Sequence, residues 1–221
     1  MKKSEFPEKA YESFLNHELM SMGYMLYIPS QIKENKLGYD ALIQKLKYKK
    51  IKSLALQYKI VSQYKIPKTG FLDPCFKIEL HKSKSGYTQH NLMVKQNLMH
   101  AKTGIATIYC APMFVEYDLL YKYSIAKSLV SHSRFIIPQK AITDKQYHYI
   151  AFDAKCSKQF SNIPESIKYD SLENIIENQP ATYINELIET VADSSNNLNR
   201  HTLNEFLIQT KSYLLIKVIE N

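Results

Sequence analysis

The stretch from Ser53 to Val61 constrains this chain more than any other. Leu54, Leu56, Tyr58 and Ile60 alternate with Ser53, Ala55, Gln57, Lys59 and Val61. That two-residue period is the pattern of a β-strand, and it sorts the side chains onto two faces. One face is apolar and needs a packed layer against it. The other presents an amide and an ammonium among small neighbours. A lysine on the small-residue face of a central strand calls for a functional reason. Tyr58, between the two polar residues and on the opposite face, reads as a packed core tyrosine.

The flanking sequence supplies partners for such a strand. From Pro7 onward, Ala10, Tyr11, Phe14, Leu15, Leu19 and Met22 recur at helical spacing, and Gly23 is placed to end that helix. Residues 24–28 read as a strand stopped by Pro29, and residues 37–43 as a second. Residues 45–52 read as a basic turn before the strand at 53–61. Further strands are predicted over 76–81, 104–111, 134–137 and 147–152, with a helix over 87–102. Residues 181–192 and 202–219 read as helical. The order helix, strand, strand, strand, helix, strand predicts an α/β fold with a mixed central sheet flanked by helices. The sequence divides into a core over residues 1–152 and a mainly helical C-terminal extension of the same domain over residues 153–221.

Charge follows the same division. The net charge is +8 from 29 basic and 21 acidic side chains. Residues 153–221 hold 6 of the basic and 10 of the acidic ones, which leaves +12 on the first 152 residues and −4 on the rest. Between Ala41 and Val115 the acids are Asp73 and Glu79. A basic surface of this kind attracts polyanions, nucleic acid above all. No apolar run approaches the roughly 20 residues that span a bilayer, and the N-terminus has no signal-peptide character. The three cysteines, Cys75, Cys110 and Cys156, form no C-x-x-C pair, which argues against a disulfide framework or a cysteine zinc site and fits a reducing cytoplasm. There is no H-x-x-x-H, no G-x-x-x-x-G-K-[ST] and no G-x-S-x-G, so zincin, P-loop and serine-hydrolase chemistries lack their motifs.

Phosphodiester hydrolysis needs hard oxygen ligands for a divalent cation and a nearby positive charge. Asp40 on one predicted strand, followed by Gln57-Tyr58-Lys59 on the next, provides these types at a spacing that puts Gln57 and Lys59 on one face. With the strands Gly38-Tyr39-Asp40-Ala41 and Leu56-Gln57-Tyr58-Lys59, the chain resembles the PD-(D/E)XK nuclease superfamily, in the variant where Gln replaces the second carboxylate. The resemblance covers residues 7–112. It implies a core of helix, three-stranded antiparallel meander, helix and further strand. It also implies Mg²⁺ or Mn²⁺ held by Asp40, by the amide oxygen of Gln57 and by an acid of the first helix, with Lys59 orienting the attacking water or stabilising the phosphate. Glu12 is the helix acid chosen, Glu18 is its competitor, and Glu8 lies one turn before Glu12. Two departures stand out. Gln57 is neutral, which implies weaker metal binding unless Glu12 or a phosphate compensates, and Tyr39 occupies the position of the expected proline.

The activity this resemblance implies is that of a metal-dependent deoxyribonuclease, with restriction or defence against phage DNA as the suggested role. Lys45, Lys47, Lys49 and Lys50 are the expected backbone contacts, and Gln89 and His90 on the second helix are candidates for positioning the substrate. The resemblance allows a homodimer, since two strands need two cuts, or partner proteins of a defence system. The alternative is a catalytically inactive relative that binds nucleic acid or a protein partner. Aromatic residues in basic stretches, Tyr48, Tyr64 and Tyr87, offer faces on which unpaired bases stack.

Overall fold

The computed structural model describes residues 1–31, 38–47, 50–66, 68–81, 87–103, 105–144, 146–160 and 165–183. The chain forms two units. The first comprises Met1–Lys45 and Lys52–Pro180, and the second Leu46–Ile51 and Ala181–Asn221. In the second unit, Thr182 and Tyr183 pair antiparallel with Ile51 and Lys50.

The first unit is mixed α/β. Helix α1 (Glu8–Ser21) buries Tyr11, Leu15 and Leu19, one residue per turn. It stops as predicted at Gly23, whose φ is +86°. The Gly23 N–H donates to the Met20 carbonyl and the Tyr24 N–H to that of Leu19, the paired bonds of a Schellman ending. The chain then runs through β2 (Met25–Tyr27), β3 (Ala41–Lys47) and β4 (Lys50–Tyr58). Helix α2 (Thr88–Thr103) carries it over to β7 (Ile105–Pro112), which lies parallel to β4 with Ser53 opposite Ile105 and Tyr58 opposite Cys110. After helix α3 (Tyr117–Ile125), β8 (Ser133–Ile136) and β12 (Tyr169–Asp170) extend the sheet, giving the order β12-β8-β7-β4-β3-β2. A short helix, α4 (Leu172–Glu177), follows.

A second sheet is antiparallel throughout. Its order is β1 (Lys2–Lys3), β5 (Ser62–Gln63), β6 (Phe76–Glu79), β9 (Tyr149–Phe152), β10 (Ser157–Phe160) and β11 (Glu165–Ser166). Two apolar clusters hold the unit together. Leu54, Leu56 and Tyr58 of β4 pack with α1, with Leu120 of α3 and with Leu172 of α4. On the other side of the central sheet, Tyr109, Ala111 and Ile136 pack against Met93 of α2 and the inward residues Phe76, Ile78, Ile150 and Phe152 of the second sheet. The alternation read in residues 53–61 holds as far as Tyr58, where β4 ends, but both faces of β4 are covered; beyond it Ile60 is exposed and Val61 buried, the reverse of the reading.

Three expectations need correction. Of the segment 45–52 read as a basic turn, residues 45–47 belong to β3 and residues 50–52 to β4. The described part of the C-terminal region, residues 153–183, contains β10, β11, β12 and β13 (Thr182–Tyr183), with α4 its one described helix. Its short strands complete sheet edges, an outcome that helical periodicity cannot signal. The helices expected over 184–192 and 202–219 lie outside the described residues. The change of charge at residue 153 is not a structural boundary either, because Phe152 and Ser157 face each other across the β9–β10 hairpin. Among the described residues, no helix is long and apolar enough to cross a membrane.

Candidate active site

Gly38 opens the site. Its φ of +77° is left-handed backbone, and a Cβ there would sit 2.9 Å from Cδ2 of Leu92 on α2. The chain turns at this glycine and enters β3 with Asp40 one residue before the strand. The Asp40 N–H donates to the Leu56 carbonyl at 2.9 Å, which fixes the aspartate against β4. Its Oδ2 accepts the Tyr58 N–H at 2.7 Å and the side-chain amide of Gln57, also at 2.7 Å. Gln57 in turn accepts from Nε2 of Gln89 on α2 at 2.8 Å, through Oε1. The three side chains thus form one hydrogen-bonded chain from β3 across β4 to α2.

Lys59 follows on the same strand face as Gln57, with its Nζ 3.9 Å from Oε2 of Glu8. Glu8, one turn before Glu12, is thus the helix acid that contacts Lys59. Burial pushes its carboxyl above the ordinary range; Lys59 pulls it back, and the Asp40 and Glu12 carboxylates push it up again. Glu12 lies one turn further along α1, buried, with Lys9 at 2.7 Å. Glu18 is turned to a different use, and its carboxylate accepts the N–H groups of Leu129 at 2.7 Å and Val130 at 3.1 Å. Tyr58 is the core tyrosine expected, with no exposed surface and its hydroxyl donating to Asn16.

Access is narrow. Asp40 is 5% exposed and Gln57 1%. An open cleft of about 330 Å³ reaches Glu8 and Lys59 and continues along Lys3, Ser62, Lys77 and Glu79.

Of the lysines expected to grip a phosphate backbone, Lys45 is engaged away from the site. Lys45 and Lys52 both pair with Glu177 at 2.9 Å. Each lies five residues along its strand from Asp40 or Gln57, about 16 Å away. Lys50 belongs to β4 in the second unit, the side chain of Lys47 is not described, and Lys49 lies outside the described residues.

His90 also needs correction. It is 2% exposed, stacked beside Tyr109. Its Nε2 donates to the Lys140 carbonyl at 2.9 Å, so in the neutral ring Nδ1 accepts from the Tyr109 hydroxyl at 3.0 Å. Both nitrogens are used inside the fold and neither is left for a substrate. Burial pushes its pKa below the ordinary 6.5. A depressed histidine contributes stability that is complete above 6.5 and is lost as pH falls toward the folded value. The expected slope is at most about 1.4 kcal/mol per pH unit. Denaturant unfolding across this window should show it, and His90→Phe should flatten it.

Among the described residues, no three His, Cys, Asp or Glu side chains come close enough to chelate a metal. The donors present are the Asp40 carboxylate, the Gln57 amide oxygen and the nearby Glu8 and Glu12 carboxylates. As they stand, the three carboxylates are not gathered into one chelating group and the Gln57 oxygen is taken by Gln89, so a cation held by Asp40 would draw most of its ligands from water and phosphate oxygens. Compared with protein-family models, curated proteins and solved structures, the chain matches none of them.

Proposed function

We propose that the protein is a metal-dependent nuclease of the PD-(D/E)XK type, hydrolysing phosphodiester bonds in DNA. The observation that carries this reading is the direct contact of Asp40 with Gln57 across neighbouring strands, with Lys59 and Glu8 beside them. Support also comes from the chain order of α1, β2, β3, β4, α2 and a β7 parallel to β4, with β5 and β6 of the second sheet inserted between β4 and α2.

A divalent cation bound here supplies Lewis-acid polarisation of the scissile phosphate and acidifies water. Asp40 would be its principal protein ligand, with Glu8 and Glu12 adding negative charge from the helix. Gln57 now turns its N–H toward Asp40. To offer its oxygen on that side the amide inverts, and Gln89 inverts with it, because a carboxamide both donates and accepts. The exchange sets the Gln57 oxygen against Oδ2 of Asp40, two acceptors that a cation between them would have to reconcile. Lys59 is held loosely by Glu8, and its ammonium is free to shift to a phosphate oxygen as charge builds there. On this account Gln89 is a positioning residue. Gln89→Leu should cost about 1–3 kcal/mol of stability, because the Gln57 oxygen loses its partner. It should also slow cleavage at saturating substrate, while Gln89→Asn retains more of the rate. Unfolding and kcat measurements on the two variants check this.

The experiment is incubation with supercoiled, linear duplex and single-stranded DNA in Mg²⁺ or Mn²⁺. Cleavage that stops with EDTA is the expected result. A second reading is a nucleic-acid-binding relative without activity. It is favoured by the burial of Gln57 with both ends of its amide engaged. Tight binding with no cleavage of any of these substrates in either metal would select it.

A further inference from the structure

The outward face of the second sheet carries a row of aromatic rings interleaved with lysines. The strand register sets Glu79, Tyr149 and Phe160 side by side across β6, β9 and β10. The next row on the same face runs Lys3, Ser62, Lys77, Ala151, Lys158 across β1, β5, β6, β9 and β10. Tyr149 and Phe160 stack at 4.9 Å with planes 5° apart. Tyr147 extends the row at 5.7 Å from Tyr149 and is 56% exposed, and Phe71 continues it at 6.1 Å from Phe160.

Ammonium groups sit among these rings. Lys68 lies 4.0 Å from the Phe160 centroid, Lys77 5.3 Å from that of Tyr147 and Lys158 5.3 Å from that of Phe71. Glu79 is the acid in these two rows, and it is paired with Lys77 at 2.8 Å. Lys77 is 6% exposed and neutralised by that pair, so the accessible charge of the face is that of Lys3, Lys68 and Lys158, and it is basic. It is also continuous with the candidate site, because Lys3, Ser62, Lys77 and Glu79 line the same cleft as Glu8 and Lys59.

We infer that this sheet face is a binding platform for single-stranded nucleic acid, which it leads through the Lys3–Lys77 cleft to Lys59. The choice of partner comes from the pairing of the two features. Lysines alone would serve any polyanion, but ring faces reward only bases that are free of a partner strand, and stacking tolerates every base. A duplex keeps its base faces inside and gains nothing from Tyr147 or Phe71. The inference rests on the nuclease reading for the end to which the strand runs, and it narrows the substrate of that site to unpaired strands or frayed ends.

The test is fluorescence anisotropy in EDTA, where cleavage is suppressed, with labelled oligothymidylate, oligouridylate and a duplex of equal length. The full chain is compared with a Tyr147→Leu/Phe71→Leu variant, which keeps apolar bulk but removes the π faces, and with Lys158→Ala. Wild type should bind at least one of the single strands about tenfold more tightly than the duplex. The leucine variant should lose roughly tenfold or more in single-strand affinity with an unchanged melting temperature. Lys158→Ala should lower the slope of log affinity against log salt by about 0.7, one phosphate contact on a single strand. Equal affinity for duplex and single strands, or a leucine variant that binds like wild type, overturns the platform. Because cleavage plays no part in this readout, an inactive protein that still binds single strands through these rings would sink the nuclease reading and leave the platform standing. Cleavage of duplex by a chain that ignores single strands would do the reverse.

Discussion

Asp40→Asn and Lys59→Ala are each expected to lower the cleavage rate at least about a hundredfold, the usual loss when one preorganised charge-stabilising group is removed. The two substitutions act by different routes. Asn is close to Asp in size and retains a side-chain oxygen to accept the Tyr58 N–H that now bonds Oδ2 of Asp40. The strand entry set by Gly38 should therefore survive, while the negative charge that would hold the cation is gone. Raising the Mn²⁺ concentration should restore part of the Asp40→Asn rate. It should not restore Lys59→Ala, whose loss is on the phosphate side. Lys59 is only loosely tied, 3.9 Å from Glu8, so its removal should leave folding stability nearly unchanged. Metal titrations of kcat for the three proteins, alongside their unfolding curves, distinguish these effects.

Glu18→Ala should destabilise the protein by about 2–6 kcal/mol without changing the rate per folded molecule. The carboxylate is 4% exposed and accepts two backbone N–H groups, from Leu129 and Val130. Deleting it leaves two buried donors without partners, at about 1–3 kcal/mol each. Glu18→Gln keeps one oxygen and should lose less. Glu18 thus anchors the loop between α3 and β8 to the far end of α1, while Glu8 and Glu12 occupy the end that meets Asp40. Urea unfolding at neutral pH together with single-turnover kinetics checks both halves of this prediction.

Local patterns made much of this legible. Helical spacing and Gly23 located α1 and its end, and the alternation of residues 53–61 located β4. Of the spaced residues Asp40 and Gln57-Tyr58-Lys59, Asp40 touches Gln57 and the Tyr58 backbone, while Lys59 meets Glu8. The polar face of α2 misled because polarity alone cannot tell a solvated face from a bonded one. Asn91 exchanges hydrogen bonds with the backbone of Ile142, and Asn97 exchanges them with the backbone of Thr107 and donates to the Pro138 carbonyl. Those partners are distant in sequence, so no window of residues reveals them. For the same reason Gln89 turns inward to Gln57.

The charge pattern misled in a related way. Lys45 and Lys52 come from opposite sides of what reads as a basic turn, yet they share Glu177, more than a hundred residues later. A run of lysines in sequence is not a patch until the fold decides what faces it. The basic face of the second sheet is the converse case. Lys3, Lys77 and Lys158 are scattered along the chain and meet only through strand register. Glu8 was within reach of sequence reasoning, since it lies one turn before Glu12, but its approach to Lys59 depends on how α1 packs beside β4.

The central claim is that Asp40 and its neighbours hold a catalytic cation. Its most direct test is Mn²⁺ binding by electron paramagnetic resonance in the presence of a phosphorothioate oligonucleotide that resists cleavage. Wild type should immobilise Mn²⁺ at a site that Asp40→Asn loses and Glu18→Gln keeps. Equal Mn²⁺ binding by wild type and Asp40→Asn, or none by wild type with the oligonucleotide bound, would contradict it.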